Sequence, residues 1–485
     1  MSKDLRFRSG LQLLPASDGT WKQQQNGGPV AWLRFHTKHR RGLWALVALV
    51  IVLLVISSAI RFNDSSVPAA AALVTRSNLV AANELLQSAT FSNPHSRSPC
   101  GLKTTQALEE AVQLVLKFFN ADPKQYTIIW TSGATQGLKM VGEYFPWTSG
   151  PDWTCSGVVP AGGVSDKAVG KASKCGPVPP DAQRATPRSS HFVYLSPQLT
   201  QQPGNVGQGN SRLLVHAKSM PSHRWLVVAD AAAYVPTHKL DLSVVQPDFV
   251  PISFYKMFGF PTGLGALIAR RESLSVLRKV YFGGGSVLDA TAEDVWRLLS
   301  PPPAGFEDGT RDFLGITQLQ FGFKQLQQLG GMQAIHEHTS SLQAWTFAAL
   351  RQLRHSNGQP LVQLFGRHDE PSRQSCVFQF LVLQPDGAAT SQVVVEEAAF
   401  DAGLAIRTGC MCNPGQCLFN LGIKPEEERA VSITGTDCSS GFMVVQRPAK
   451  NDSSRLVSVE LPIGTIRASL GYLSTFEDCY ALIDF

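Results

Sequence analysis

The 485-residue chain is predicted to have an α/β fold: a large domain on a mixed, mostly parallel sheet, then a smaller C-terminal α/β domain. Three observations predict it. Short apolar runs at 126–130, 225–229, 248–254 and 264–269 alternate with stretches of helical periodicity, an order that lays strands side by side under helices. An apolar fraction of 44% supports a sizeable core. The length suits two or three domains at about 150 residues each.

Residues 1–42 form a basic tail. Eight basic side chains between Lys3 and Arg41 stand there against Asp4 and Asp18, which accounts for the whole net charge of +6. The remainder is formally neutral, so no basic face is left for nucleic acid. Residues 43–60 carry no charge and only Ser57 and Ser58 as polar groups. As a helix they would run about 27 Å, close to the hydrocarbon thickness of a bilayer. A single transmembrane helix is expected, the alternative being a cleaved leader, with the basic flank on the cytosolic side. Asn63 and Asn451 each begin a glycosylation-type triplet. The nine cysteines are odd in number and do not form a disulfide framework by spacing.

Residues 61–89 are a linker with a helix at 77–86. The large domain is expected over 90–359. It opens with helix 104–119, which carries Leu108, Val112, Val115 and Leu116 on one face, then strand 126–130 and helix 136–145. A low-complexity insertion rich in Gly, Pro, Ser and Ala follows at 148–190. After the three further strands come helices at 292–299, 316–328 and 332–354. The small domain, 360–485, alternates strands 377–383 and 465–468 with helices 391–402 and 475–483.

Three strand ends carry chemistry. The first strand runs into Thr131-Ser132-Gly133-Ala134-Thr135-Gln136-Gly137, a small-residue turn before a helix, where free backbone N–H groups and the helix dipole suit an anion. Asp230 follows the apolar strand at 225–229 and would sit in the crevice where α/β proteins bind ligands, or else cap a helix. Ser253-Phe254-Tyr255-Lys256 ends a buried strand and leads into a glycine-rich turn, an unusual place for a lysine. A desolvated lysine is nucleophilic. Together these suit pyridoxal 5′-phosphate: a helix start for its phosphate, a carboxylate for its ring nitrogen, a lysine for its carbonyl.

Near the C-terminus, Arg407-Thr408-Gly409-Cys410-Met411-Cys412-Asn413-Pro414-Gly415-Gln416-Cys417 packs three cysteines into a turn-rich loop. A thiolate nucleophile is favoured by the Arg407 guanidinium. A buried structural trio and a partial metal knuckle are the alternatives, and three cysteines without a nearby histidine make a poor zinc site; no metal is expected.

In order and wording these stretches resemble the class V aminotransferase, or cysteine desulfurase-like, group of pyridoxal-phosphate enzymes of fold type I. Within that group the chain most resembles the desulfurase domain of the molybdenum cofactor sulfurases. Asn93-Pro94-His95-Ser96, the turn from Thr131, residues 248–267, the Gly283-Gly284-Gly285-Ser286 loop, Phe306-Glu307-Asp308-Gly309-Thr310, the cysteine loop and residues 466–478 carry the resemblance. It implies Lys256 as the lysine that attaches to the cofactor and Asp230 as partner of its ring nitrogen. Ala134, Thr135 and Ser253 are implied as phosphate contacts, with Ser286 supplying one from a second subunit of a homodimer. Arg467 is implied as the clamp for the carboxylate of L-cysteine. Cys412 is implied as the thiol that takes sulfur, with Cys410 and Cys417 relaying or protecting it. The implied acceptor is molybdenum cofactor or its carrier, and the implied compartment of the catalytic part is the cytosol.

The chain also departs from the pattern. The group's opening strand has no match before Asn93. Residues 148–190 intervene where a ring-stacking histidine belongs, leaving His191 as candidate. Ala231-Ala232-Ala233 lacks the polar residue that bonds the phenolic oxygen. The chain reaches Phe485 ahead of the C-terminal module expected of full-length members. A membrane-anchored, catalytically impaired scaffold is the second reading.

Overall fold

The computed structural model describes residues 13–15, 21–23, 69–146, 190–195, 224–294, 296–369, 375–411, 414–434, 440–449 and 452–485. Residues 43–60 and 148–189 lie outside the described part. Among the described residues no helix is long and apolar enough to cross a membrane. The chain divides into two compact units, Met1–Ser65 and Ser66–Phe485. In the first, β1 (Leu13–Pro15) and β2 (Trp21–Gln23) pair antiparallel.

The second unit opens with helices α1 (Ala69–Ser88) and α2 (Pro99–Phe118). The Ser98 side chain caps α2 by accepting from the Gly101 N–H, and Pro99 suits the first turn because its missing N–H is not needed there. Then follow β3 (Tyr126–Thr131), α3 (Ala134–Tyr144), β4 (Ser190–Leu195), β5 (Arg224–Ala229) and β6 (Phe249–Ser253). The one-turn helix α4 (Phe254–Phe258) leads to β7 (Gly265–Arg270) and α5 (Arg271–Leu274). The sheet order is β3-β7-β6-β5-β4. β4, β5 and β6 are parallel, whereas β7 is antiparallel to both β6 and β3. Four strands run one way and β7 alone runs against them, a mixed, mostly parallel sheet as expected. The connection from β6 to β7 is too short for a crossover, so β7 must return antiparallel.

Strand side chains alternate between two cores, as period-two geometry requires. Ile128, Trp130, Val250, Ile252, Ala266 and Ile268 face α2 and the later helix α6 (Phe313–Gln328). Ile129, Phe249, Leu267 and Ala269 face Met140 and Val141 of α3. Burying each of the large ones contributes about 1.5–3 kcal/mol. The result is a sheet covered on both faces, with its strand ends left open for chemistry.

Between β7 and α6 the sequence predicts a helix at 292–299, and the structure has a hairpin, β8 (Val287–Ala290) with β9 (Arg297–Leu299). Asp294 is the reason. Its carboxylate accepts from the Trp296 N–H and the Thr291 hydroxyl, and such local bonds compete with helix formation.

The long helix α7 (Gly331–Gln352) places Met332 and Ile335 in the large core and Leu342 and Leu350 in that of the small domain. Beyond it come β10 (Val362–Phe365), β11 (Val377–Val382), α8 (Gln392–Asp401), β12 (Arg407–Gly409), α9 (Pro414–Leu421) and α10 (Pro425–Thr434). The hairpin β13 (Phe442–Ala449)–β14 (Asp452–Pro462), β15 (Thr465–Ser469) and α11 (Phe476–Asp484) complete the chain. The small sheet runs β10-β11-β15-β12, antiparallel throughout. Thr475 and Asp478 form a reciprocal capping box at α11.

Among the described residues two histidines are buried, and burial disfavours their charged form. His238 stacks on Tyr234 and packs 4.6 Å from His336, and burial with that neighbour pushes it down to about 4. His368 stacks on Phe378 and is pushed down to about 4 by burial. Between roughly pH 6.5 and 4 the unfolded chain binds protons that the folded chain refuses, so stability is present above this window and lost as pH falls through it. Each histidine is expected to remove about 3 kcal/mol across it. Denaturant melts of wild type and His238→Gln at pH 7 and pH 4.5 check this: the variant should lose less on acidification, and equal losses would refute it.

Candidate active site

The C-terminal ends of β3, β5 and β6 point the same way and meet at one edge of the sheet. The close approach of two backbones builds the first part. A Cβ on Gly265 would lie 2.5 Å from the Gly133 Cα and 2.4 Å from the Ile252 oxygen, so only glycine fits. Gly133 itself has φ +145°. The buried Ser253 hydroxyl accepts from the Ala134 N–H at 2.8 Å, tying the end of β6 to the start of α3. The Thr131 hydroxyl donates to the Gly133 oxygen, and the Ser132 N–H donates to the Gln136 side chain. Thr135 stands exposed on the first turn of α3, where helix N–H groups point outward.

Asp230 ends β5. It is 8% exposed, and its Oδ1 accepts from the Ala232 N–H at 3.0 Å. Lys256 sits on α4, anchored by the buried Phe254, Met257 and Phe258 while Tyr255 and Lys256 face outward. Among the described residues its ammonium has no ionic partner. An anion turn, a buried carboxylate and an unpaired amine thus share one sheet edge. His191 belongs to β4, paired opposite Trp225 of β5, which places it on the same parallel set.

Sequence reasoning missed the residues that brace this edge. Glu307, 6% exposed, accepts from the Trp130 N–H at 2.8 Å and pairs with Arg311 at 3.0 Å. Burial pushes its carboxyl up, and Arg311 pulls it back. Its neighbour Asp308 accepts from the Ser286 hydroxyl at 2.5 Å and pairs with the buried Lys279 ammonium. Ser286 is itself buried, and its hydroxyl bonds to the Gly283 oxygen of its own loop and to Asp308 of the 304–311 segment. Glu307 and Trp130 are 177 positions apart, and no spacing rule links them.

Arg467 lies on the central strand β15, half-buried, opposite Gln379 on one side and Arg407 on the other.

In the cysteine loop the Gly409 N–H donates to the Gln392 side chain at 3.0 Å, and Gly409 and Met411 both have positive φ (+96° and +56°). Cys410 and Cys417 are joined by a disulfide, their Cα atoms 5.2 Å apart. Cys417 is fully buried against Leu421, Met443 and Val445. Cys412 and Asn413 lie outside the described residues. No cluster of side chains suited to a metal ion occurs among the described residues.

Against known proteins, the family model for aminotransferase class-V matches residues 62–151 and 213–482. The chain is 36% identical over 422 residues to "Molybdenum cofactor sulfurase" of Bos taurus, covering 81% of this chain and 46% of that one. It is 33% identical over 471 residues to the tomato (Solanum lycopersicum) protein of the same name, covering 88% and 55%. The chain spans about half the length of the curated relatives it matches. Among solved structures, the apo cysteine desulfurase from Thermococcus onnurineus NA1 superposes with a TM-score of 0.58 at 18% identity, over 84% of this chain and 90% of that one. The cystine C–S lyase C-DES with cysteine persulfide superposes with 0.56 at 16%, over 86% and 93%. At these identities the likeness shows the fold.

Proposed function

The chain belongs to the aminotransferase class-V family, and we propose that it is a pyridoxal 5′-phosphate-dependent cysteine desulfurase that passes sulfur from L-cysteine to molybdenum cofactor or its carrier. One observation carries the reading: Asp230, the Ser253-tied turn at Ala134 and the unpaired Lys256 occupy one edge of the sheet. The residues present fit the cofactor. Gly265 lets β7 pack closely against the turn at Gly133, which brings the start of α3 to the end of β6, and the buried Asp230 carboxylate follows β5 at the same edge, as a partner for a protonated ring nitrogen would need. Relatives named molybdenum cofactor sulfurase support this choice of acceptor.

When bound, pyridoxal phosphate supplies an electron sink that lets bonds to the amino acid's carbons break. The chain's own residues do the rest. Ala134, Thr135 and Ser253 seat the phosphate with backbone N–H and hydroxyl donors. Asp230 keeps the ring nitrogen charged. Lys256 would hold the cofactor's carbonyl and has the amine needed to move a proton. Arg467 holds the substrate carboxylate, and Cys412 takes the sulfur.

A homodimer belongs to the proposal. Val280, Tyr281, Leu288 and Leu298 stand exposed around the glycine loop of Ser286, an apolar surface that a second copy would cover. No observation favours the scaffold reading over the enzyme.

The test is direct. Purified protein treated with L-cysteine should release alanine and gain the mass of one sulfur on the cysteine-loop peptide, and borohydride should fix the cofactor at Lys256. A protein that stays colourless after added pyridoxal phosphate would sink the reading.

The anchor at 43–60 is part of the same proposal. The full chain should sediment with membranes and resist alkaline carbonate, whereas a chain beginning after Ile60 should not. Release of the full chain by carbonate would exclude a bilayer span.

A further inference from the structure

We infer that Cys410 and Cys417 form a dithiol–disulfide couple that discharges sulfane sulfur from the loop as hydrosulfide. This gives the enzyme an outlet for sulfur when no acceptor is present. The inference rests on the desulfurase reading only for where the sulfur comes from.

The disulfide joins the two cysteines that flank position 412 in sequence, seven residues apart along the chain. The two sulfurs are unequal. Cys417 is fully buried, held in α9 against Leu421, Met443 and Val445. Cys410 is only half-buried, at a turn bounded by the left-handed residues Gly409 and Met411. An incoming sulfur reaches Cys410, and Cys417 is screened from everything except Cys410. The Cys410 Sγ also lies 3.5 Å from the Ile463 carbonyl oxygen, which in the dithiol state accepts the thiol proton.

The step balances with the groups present. A persulfide passes its outer sulfur to the Cys410 thiol by exchange, leaving the donor as thiol and Cys410 as Cys–S–SH. The Cys417 thiolate then attacks the Cys410 sulfur. The Cys410–Cys417 bond forms, the bond to the outer sulfur breaks, and hydrosulfide leaves with the proton the outer sulfur already carried, the proton that Cys417 gave up having gone to solvent. Two thiol sulfurs are oxidised to the disulfide, and one sulfane sulfur is reduced to sulfide. The Cys410–Cys417 disulfide is the oxidised form of this pair. A dithiol reductant from outside, attacking at the accessible Cys410, resets the pair. Proximity makes the closure fast, because both sulfurs belong to one short loop.

The experiment uses the full chain, reduced, freed of reductant and kept anaerobic. In one arm it receives one equivalent of L-cysteine; in the other, inorganic polysulfide, which loads sulfane sulfur without the cofactor. In the first arm alanine, sulfide and the Cys410–Cys417-linked peptide should appear in equal amounts. In the second, the linked peptide should form, while a control without polysulfide keeps both thiols. Cys417→Ala and Cys410→Ser should each release sulfide on the order of tenfold or more slowly, and Cys417→Ala should hold extra sulfur on Cys410. Should Cys417→Ala fail to fold, Cys410→Ser decides alone. Absence of alanine in the first arm counts against the desulfurase reading, and the second arm still decides this one. A polysulfide-loaded wild type that keeps its sulfur as persulfide, with Cys410 and Cys417 unlinked, overturns it.

Discussion

Lys256→Ala is expected to lose the visible absorbance of the cofactor and to slow desulfuration by roughly ten-thousand-fold or more, the scale seen when a covalent participant is removed. Little stability should go with it. The side chain is exposed, while α4 is held by the buried Phe254, Met257 and Phe258. The thermal midpoint without added cofactor should therefore stay near wild type as activity vanishes. Absorbance spectra, alanine assays and thermal melts on the same preparation separate the two. A variant that keeps both colour and turnover would move the attachment to another amine and undo the site assignment.

Cys412→Ser is the second. The cofactor should remain bound, because Lys256, Asp230 and Ser253 are untouched, yet alanine release should fall by roughly a thousand-fold. A serine hydroxyl ionises far less readily than a thiol and is a poor partner for sulfur. The retained colour matters as much as the lost activity, since it separates a missing nucleophile from a collapsed site. Alanine and sulfane sulfur measured together check it. If Cys412→Ser turns over normally and Cys410→Ser is inactive, the sulfur-accepting thiol is Cys410.

The strand ends were legible because buried strands are written as apolar runs, and the polar residues that stop them stand out. Asp230 after the run at 225–229 and Lys256 after the run at 248–254 are of this kind. The helices bounded by Ser98, Asp312 and Thr475 carry their own start signals. The hairpin at 287–299 was misread because a few bonds from Asp294 outweighed the helical spacing. Glu307 was invisible as a brace, since its reach to the Trp130 N–H exists only after β3 and the 304–311 segment are side by side. The Cys410–Cys417 bond was likewise out of reach. Three cysteines in one loop allow several pairings, and the choice depends on a Cα separation that only the fold sets.

α7 belongs to two cores at once, with Met332 and Ile335 in one and Leu342 and Leu350 in the other. The second unit therefore offers no clean place to cut between its large and small halves. A break before Gly331 would leave the large half without the apolar stripe that Met332 and Ile335 supply. A break after Gln352 would leave the small half without the wall against which Phe378 and Ile466 pack. Neither piece would be a minimal module that could be grafted onto another protein. The edge that carries Lys256 and the strand that carries Arg467 are in this sense one indivisible part.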